Sequence, residues 1–292
     1  MRRHLNICLF LAATAALISS PAAAQFSLVS EKQELQAGQQ ADQELMRKYR
    51  SSGDRYWNSV VKNVGTRLVR ACERPNIPWT FRVLDSNELN AFSVPGYVYI
   101  TTTTLETIRN DQDAIAGVLA HEIGHTCGKH AKNQMEKGAI GGLLISVLGG
   151  RNKTVSGLAG VAANLIMLGY SRNDENDADK RAVRYTLASG YDPNGLIRFF
   201  QILEEKGDRG GGGVASYFRT HPPTGDRINR VRNEIARQGG STTSNAYRRS
   251  RSRNIDYPDD PYYRNRSNDD SDPYYRDRYN RDRSNRERWD WP

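Results

Sequence analysis

Apolar positions between residues 31 and 71 recur at intervals of three and four. Trp57, Val60, Val61, Val64 and Leu68 would line one face of a helix, and the spacing predicts helices over 31–50 and 54–71. The period then shortens to two. Trp79-Thr-Phe-Arg-Val-Leu84 alternates, and Tyr97-Val-Tyr-Ile100 is a strand-like run after the Pro95-Gly96 turn, so a short β section follows the two helices. Helical spacing returns over 113–137, 174–189, 193–206 and 224–237. Gly190 serves as a helix stop, Asp192-Pro193 as a cap and first-turn start, and Gly207 with the 210–213 glycine run as a flexible loop. The pattern predicts one α+β domain, mainly helical, with a small β-sheet.

Two apolar stretches, 139–148 and 155–168, are each shorter than the roughly 20 residues that span a bilayer, and Arg151-Asn-Lys153 separates them. They read as a buried helical hairpin, with a membrane-contacting segment as the competing reading.

Composition matters most at the two ends. Arg2 and Arg3, the apolar run Leu5–Ile18 and the small residues Ala22-Ala23-Ala24 form a secretory signal over 1–24. Residues 241–292 hold 12 Arg, 10 acidic residues, seven Tyr and two Trp with almost no aliphatic residue, and Asp-Pro-Tyr-Tyr-Arg recurs at 260 and 272. A segment so poor in aliphatic surface cannot offset its chain entropy, so it reads as a disordered, solvated tail. The formal charge of +9 then falls to +5 for residues 25–240, since the signal removes two positive charges and the tail a net two. Basicity is thus no pointer to nucleic acid, which is also an improbable partner for an exported chain. Export to the periplasm, or secretion, is the expected location, and the tail and region 139–168 are the candidates for outer-membrane or cell-wall contact. Cys8 leaves with the signal. Cys72 and Cys127 stay in an oxidising compartment where a disulfide is allowed, and the sequence leaves open whether they pair.

The chemistry lies in His121-Glu122-Ile123-Gly124-His125. With Ile115, Val118, Leu119 and Ile123 on an amphipathic helical pattern, residues four apart share a face, so both imidazoles can reach one metal with Glu122 beside them. About 0.004 such matches are expected by chance from five His and 13 Glu. Catalytic zinc takes three protein ligands and keeps a position for water. A histidine six residues after His125 would complete a metzincin pattern, but that position is Ala131; His130 comes one residue early, rotated by about 100°. Glu175, in Ser171-Arg-Asn-Asp-Glu-Asn-Asp-Ala-Asp179, is the better candidate, with Asp179 one turn on to accept from a ligand imidazole. Taken alone, the segment reads better as a polar helix start favoured by the helix dipole.

Together, HEIGH, SRNDENDAD about 50 residues later and His221-Pro222-Pro223-Thr224-Gly225-Asp226-Arg227 resemble the soluble exported relatives of the HtpX and CAAX prenyl protease type of zinc metallopeptidase. Asn90-Ala-Phe-Ser-Val-Pro-Gly-Tyr-Val-Tyr-Ile-Thr101 resembles that family's strand pair next to the active site. The similarity runs from about Asp54 to Arg237. One departure is Thr101-Thr-Thr-Thr-Leu105, where the family more often has a glycine before the leucine.

The resemblance implies a zincin-like domain over 25–240 that binds one Zn2+ through His121, His125 and Glu175. Glu122 would be the general base and acid, Asp179 a support to a ligand, and His221 and Arg227 would face the reacting centre. His221 would either donate to the oxyanion or occupy the open zinc position at rest. Asn90, Ala91 and Phe92 would hold an extended substrate as an added strand, which suits unfolded or misfolded envelope polypeptides. A latent-site, chaperone-like binding protein and a zinc amidohydrolase acting on cell-wall peptides are the competing readings. His130 is given a structural or surface place, and Cys127 a bridge to Cys72 or a buried thiol. The oligomeric state is left open.

Overall fold

The computed structural model describes residues 28–108, 111–138, 169–208, 214–222 and 226–240. The 1–24 signal, the apolar region 139–168, the 210–213 glycine run and the 241–292 tail lie outside the described residues.

The elements run α1 (Glu31–Lys48), β1 (Arg50–Ser51), α2 (Arg55–Val69), β2 (Thr80–Asp85), β3 (Ala91–Val94), β4 (Tyr97–Thr101), α3 (Thr102–Ile108) and α4 (Gln112–Cys127). A further helical stretch, α5, covers residues 130–138. It is followed by α6 (Arg172–Ala188), α7 (Asn194–Asp208), α8 (Ala215–Thr220) and α9 (Arg227–Arg237). The mainly helical α+β expectation holds, and no described helix is long and apolar enough to cross a membrane.

The sheet has the order β1-β2-β4-β3. β2 and β4 are parallel, with Thr80 opposite Tyr97 and Leu84 opposite Thr101. β3 folds back antiparallel on β4 through the Pro95-Gly96 turn and forms one edge of the sheet. Alternation along β3 divides its side chains between two apolar layers: Ala91 faces the main core, while Phe92 and Val94 face a smaller core under α1.

α4 is the centre of the molecule. An amphipathic helix is the sequence expectation, but every residue from Asp113 to Cys127 is buried, because α2, α6, α7 and β3 all pack against it. Two glycines permit this enclosure: a Cβ at Gly117 would lie 2.7 Å from the Leu196 backbone nitrogen, and one at Gly124 would lie 3.0 Å from the Ala178 carbonyl oxygen. The Asp111 side chain caps the helix by accepting from the Ala114 N–H.

One expectation needs correction. The continuous helix over 113–137 is broken, because Lys129 takes the left-handed conformation (φ 57°) and ends α4 before α5 begins. The Thr101–Leu105 segment, where the family more often has a glycine, runs from β4 straight into α3. There Thr104 Oγ1 accepts from the Asn90 N–H (2.8 Å), and Thr101 Oγ1 lies 3.2 Å from the same nitrogen, so side chains serve that backbone donor. Cys72 and Cys127 are buried free thiols in the main core, in hydrogen-bonding contact with each other.

Candidate metal centre

α4 carries His121 and His125 one turn apart with Glu122 beside them. α6 begins at a capping box made by Ser171 and Asp174, which places Glu175 in its first turn and Asp179 one turn further on. His221 caps the C-terminal end of α8, and Arg227 opens α9 just after Asp226, a left-handed residue (φ 78°).

These elements bring four side chains to one point. Ligand atoms of His121, His125, Glu175 and His221 all lie within 4.8 Å of one another, and all four residues are buried. His121 Nε2 stands 3.0 Å from His125 Nε2 and 3.3 Å from His221 Nδ1. Glu175 Oε1 is 3.0 Å from His221 Nδ1 and 3.4 Å from His125 Nε2. Three imidazole nitrogens that close, with a carboxylate, offer more lone pairs than their few protons can satisfy. The nitrogen and oxygen donor set fits a cation of the zinc type.

The surroundings set the charge states. Burial disfavours ionised Asp179, but the Arg227 guanidinium and then His121 outweigh it and hold the carboxyl below its usual range. The fork is bidentate: Arg227 Nε and Nη2 lie 3.0 and 2.7 Å from the two Asp179 oxygens, and Nη1 reaches Glu175 Oε2 at 3.1 Å. Glu175 is likewise held well below its usual range, against burial, by His221 and by contacts from His121 and His125. His121 Nδ1 lies 2.9 Å from Asp179 Oδ1, and the two carboxylates overcome burial to raise that imidazole to about 9. Burial, reinforced by the neighbouring His121 and His221, pushes His125 well below its ordinary value and keeps it neutral.

Glu122 is fully buried beside this cluster. Its Oε2 is 3.2 Å from Ser93 Oγ, and its Oε1 lies 3.4 Å from His221 Nε2. The predicted residues His121, Glu122, His125, Glu175, Asp179, His221 and Arg227 therefore converge. The predicted substrate residues stand on or beside the edge strand next to Glu122, but Asn90, Ala91 and Phe92 are all buried, and the Phe92 ring stacks on Tyr99 (4.8 Å) in the smaller core.

Three contributors escaped the sequence reading. Ser93 was in view only as part of the strand motif. The Tyr170 ring stacks on His125 with centroids 3.7 Å apart, and the Tyr170 backbone N–H donates to the Thr220 carbonyl, which ties the residues leading into α6 to the segment bearing His221. His130, given a surface or structural place, is buried with its Nδ1 2.9 Å from His125 Nδ1. Its distance from His125 in sequence gave one signal, hidden by the assumption of an unbroken helix.

Comparison with known proteins agrees with this geometry. The chain is 24% identical over 188 residues to a Beta-barrel assembly-enhancing protease of Yersinia pestis, covering 59% of this chain and 38% of that protein. It is 24% identical over 222 residues to the Beta-barrel assembly-enhancing protease of Escherichia coli strain K12, covering 71% and 45% respectively. The Metalloprotease YcaL of the same strain is 27% identical over 171 residues, covering 54% and 63%. The chain thus spans less than half the length of the assembly-enhancing proteases it matches. Residues 57–235, which contain every residue of the cluster, match the description Peptidase family M48, and the chain belongs to that family of metallopeptidases.

Proposed function

We propose that this chain is a zinc-dependent metalloendopeptidase that cleaves unfolded or misfolded polypeptides of the cell envelope. The convergence of His121, His125 and Glu175 beside the buried carboxylate of Glu122 carries the reading. The names of the relatives support an envelope role, and the expected secretory signal agrees with it.

His121, His125 and Glu175 would hold the metal, which when bound supplies Lewis acidity and a water acidified to a pKa of about 7. Glu122 takes the proton of the attacking water and passes it to the leaving amine, with Ser93 beside Oε2 to orient the carboxylate. Asp179 and Arg227 fix His121 and Glu175. His221 Nε2, 3.4 Å from Glu122 Oε1, is placed to donate to an oxyanion, a contribution typically of a few kcal/mol. Its Nδ1 also lies inside the ligand cluster, so in the absence of substrate His221 would be a further donor able to hold the metal. Substrate would lie along β3 as an added strand held through backbone groups, since the Phe92 side chain is committed to the opposite layer. The 139–168 region and the tail remain the proposed envelope contacts.

The test is zinc content and casein hydrolysis by the full chain against Glu122→Gln. The expected outcome is one zinc per chain in both, with hydrolysis lost by at least about a hundredfold in the variant, as befits a general base. Equal hydrolysis in both would refute the mechanism. Zinc in both without hydrolysis in either would favour a latent-site binding protein.

A further inference from the structure

We infer that His130 is a positioning residue that fixes the tautomer of His125 and holds its Nε2 lone pair on the metal, an inference that rests on the metallopeptidase reading above. On an unbroken helix, a residue five positions after His125 would point about 140° away from it. The turn at Gly128-Lys129, with Lys129 at φ 57°, instead swings His130 back against the ligand.

Proton counting gives that contact a direction. His125 Nε2 faces the cluster, 3.0 Å from His121 Nε2, so a ligating His125 must carry its proton on Nδ1. That N–H donates to His130 Nδ1 at 2.9 Å, which leaves the His130 proton on Nε2, 3.1 Å from Asp177 Oδ2. Asp177 is in turn fixed by the Arg181 Nε–H at 2.6 Å. The opposite polarity would aim a His130 lone pair at a carboxylate and a His125 proton into the metal cluster. The relay of His125, His130 and Asp177 therefore selects the ligating tautomer, as Asp179 does directly for His121 across 2.9 Å.

Gly128 is an independent sign that the space is reserved for this contact. A Cβ there would lie 2.4 Å from His130 Nε2 and 2.8 Å from Asp177 Oδ2, astride the last hydrogen bond of the relay.

The test measures zinc affinity of the full chain by competition with a chromophoric chelator. The variants are His130→Leu, His130→Asn and Gly128→Ala, and the Co(II) absorption spectrum of each gives a second readout. Asn places Oδ1 where His130 carries Nδ1 and can still accept from His125. His130→Leu should weaken zinc binding about 10- to 100-fold and perturb the Co(II) bands, His130→Asn should return to within about threefold of wild type, and Gly128→Ala should fall between. Wild-type affinity in both His130→Leu and Gly128→Ala would overturn the inference alone, as would failure of His130→Asn to recover. A wild-type chain that takes up no zinc would overturn the metallopeptidase reading and this inference with it.

Discussion

Arg227→Met is the most direct probe of how the site is held. The guanidinium is buried and makes three contacts: two with Asp179 at 3.0 and 2.7 Å, and one with Glu175 at 3.1 Å. It also stands 4.2 Å from the centroid of Phe200, so a methionine retains much of the volume and the apolar contact while removing the charge. Two carboxylates are then left in the interior without their cation. Removing one partner of a buried ion pair costs about 3–5 kcal/mol. At about 2–4 °C per kcal/mol for a domain of this size, Tm at pH 7 should fall by about 6–20 °C. The pH dependence has a definite sign. Asp179 is held below its usual range in the native protein, so its contribution is complete above the unfolded carboxylate pKa of about 3.9 and is lost as pH falls through the lower folded value. In the variant, acid relieves the stranded carboxylates by protonating them, so the Tm gap should be widest near pH 7 and narrow toward pH 4. Arg227→Lys keeps the charge but loses the fork and should fall between. Thermal melts by circular dichroism in chelator, at pH 4 to 8, make the measurement. A Met variant within about 2 °C of wild type at pH 7, or a gap that widens on acidification, would refute the reasoning.

Gly117→Ala should cost about 1–3 kcal/mol, seen as a lowered urea midpoint with unchanged m, because its Cβ would meet the Leu196 backbone at 2.7 Å and push α7 off α4. Asp111 caps α4 and pairs with Arg198 at 2.5 Å; against burial, Arg198 holds its carboxyl below the usual range. Its contribution is therefore present above about pH 4 and lost as pH falls below that, so Asp111→Asn should lower Tm at pH 7 and converge with wild type near pH 3, checked by melts across that range.

The long elements were legible because their burial is one-sided. α2 buries Trp57, Val60, Val61, Val64 and Leu68, the residues whose spacing announced it. α4 was legible from the spacing of Ile115, Val118, Leu119 and Ile123, but its enclosure on every side was not, since a fully buried helix differs from an amphipathic one only in lacking a polar stripe. β1 is two residues long and α8 six, too short for any periodicity to register. The break at Lys129 escaped because lysine seldom adopts positive φ.

The proposed metal ligands were legible in proportion to their local spacing. His121 and His125 share a face by periodicity, whereas the segment of Glu175, taken alone, read better as a polar helix start. The structure makes those two readings one. α6 carries Glu175, Asp177 and Asp179 within its first two turns: the first faces the ligand cluster, and the other two contact the outer nitrogens of His130 and His121. Acidic residues in the first turn of a helix are stabilised by its dipole, which favours a carboxylate at Glu175. Because one helix carries the proposed third ligand and both supports, and meets α4 at Gly124, where a Cβ would lie 3.0 Å from the Ala178 carbonyl oxygen, any shift of α6 would loosen ligand and supports together. Metal affinity and the packing of α6 on α4 should therefore rise and fall as one quantity, and a substitution at Gly124 should weaken zinc binding without touching a single ligand.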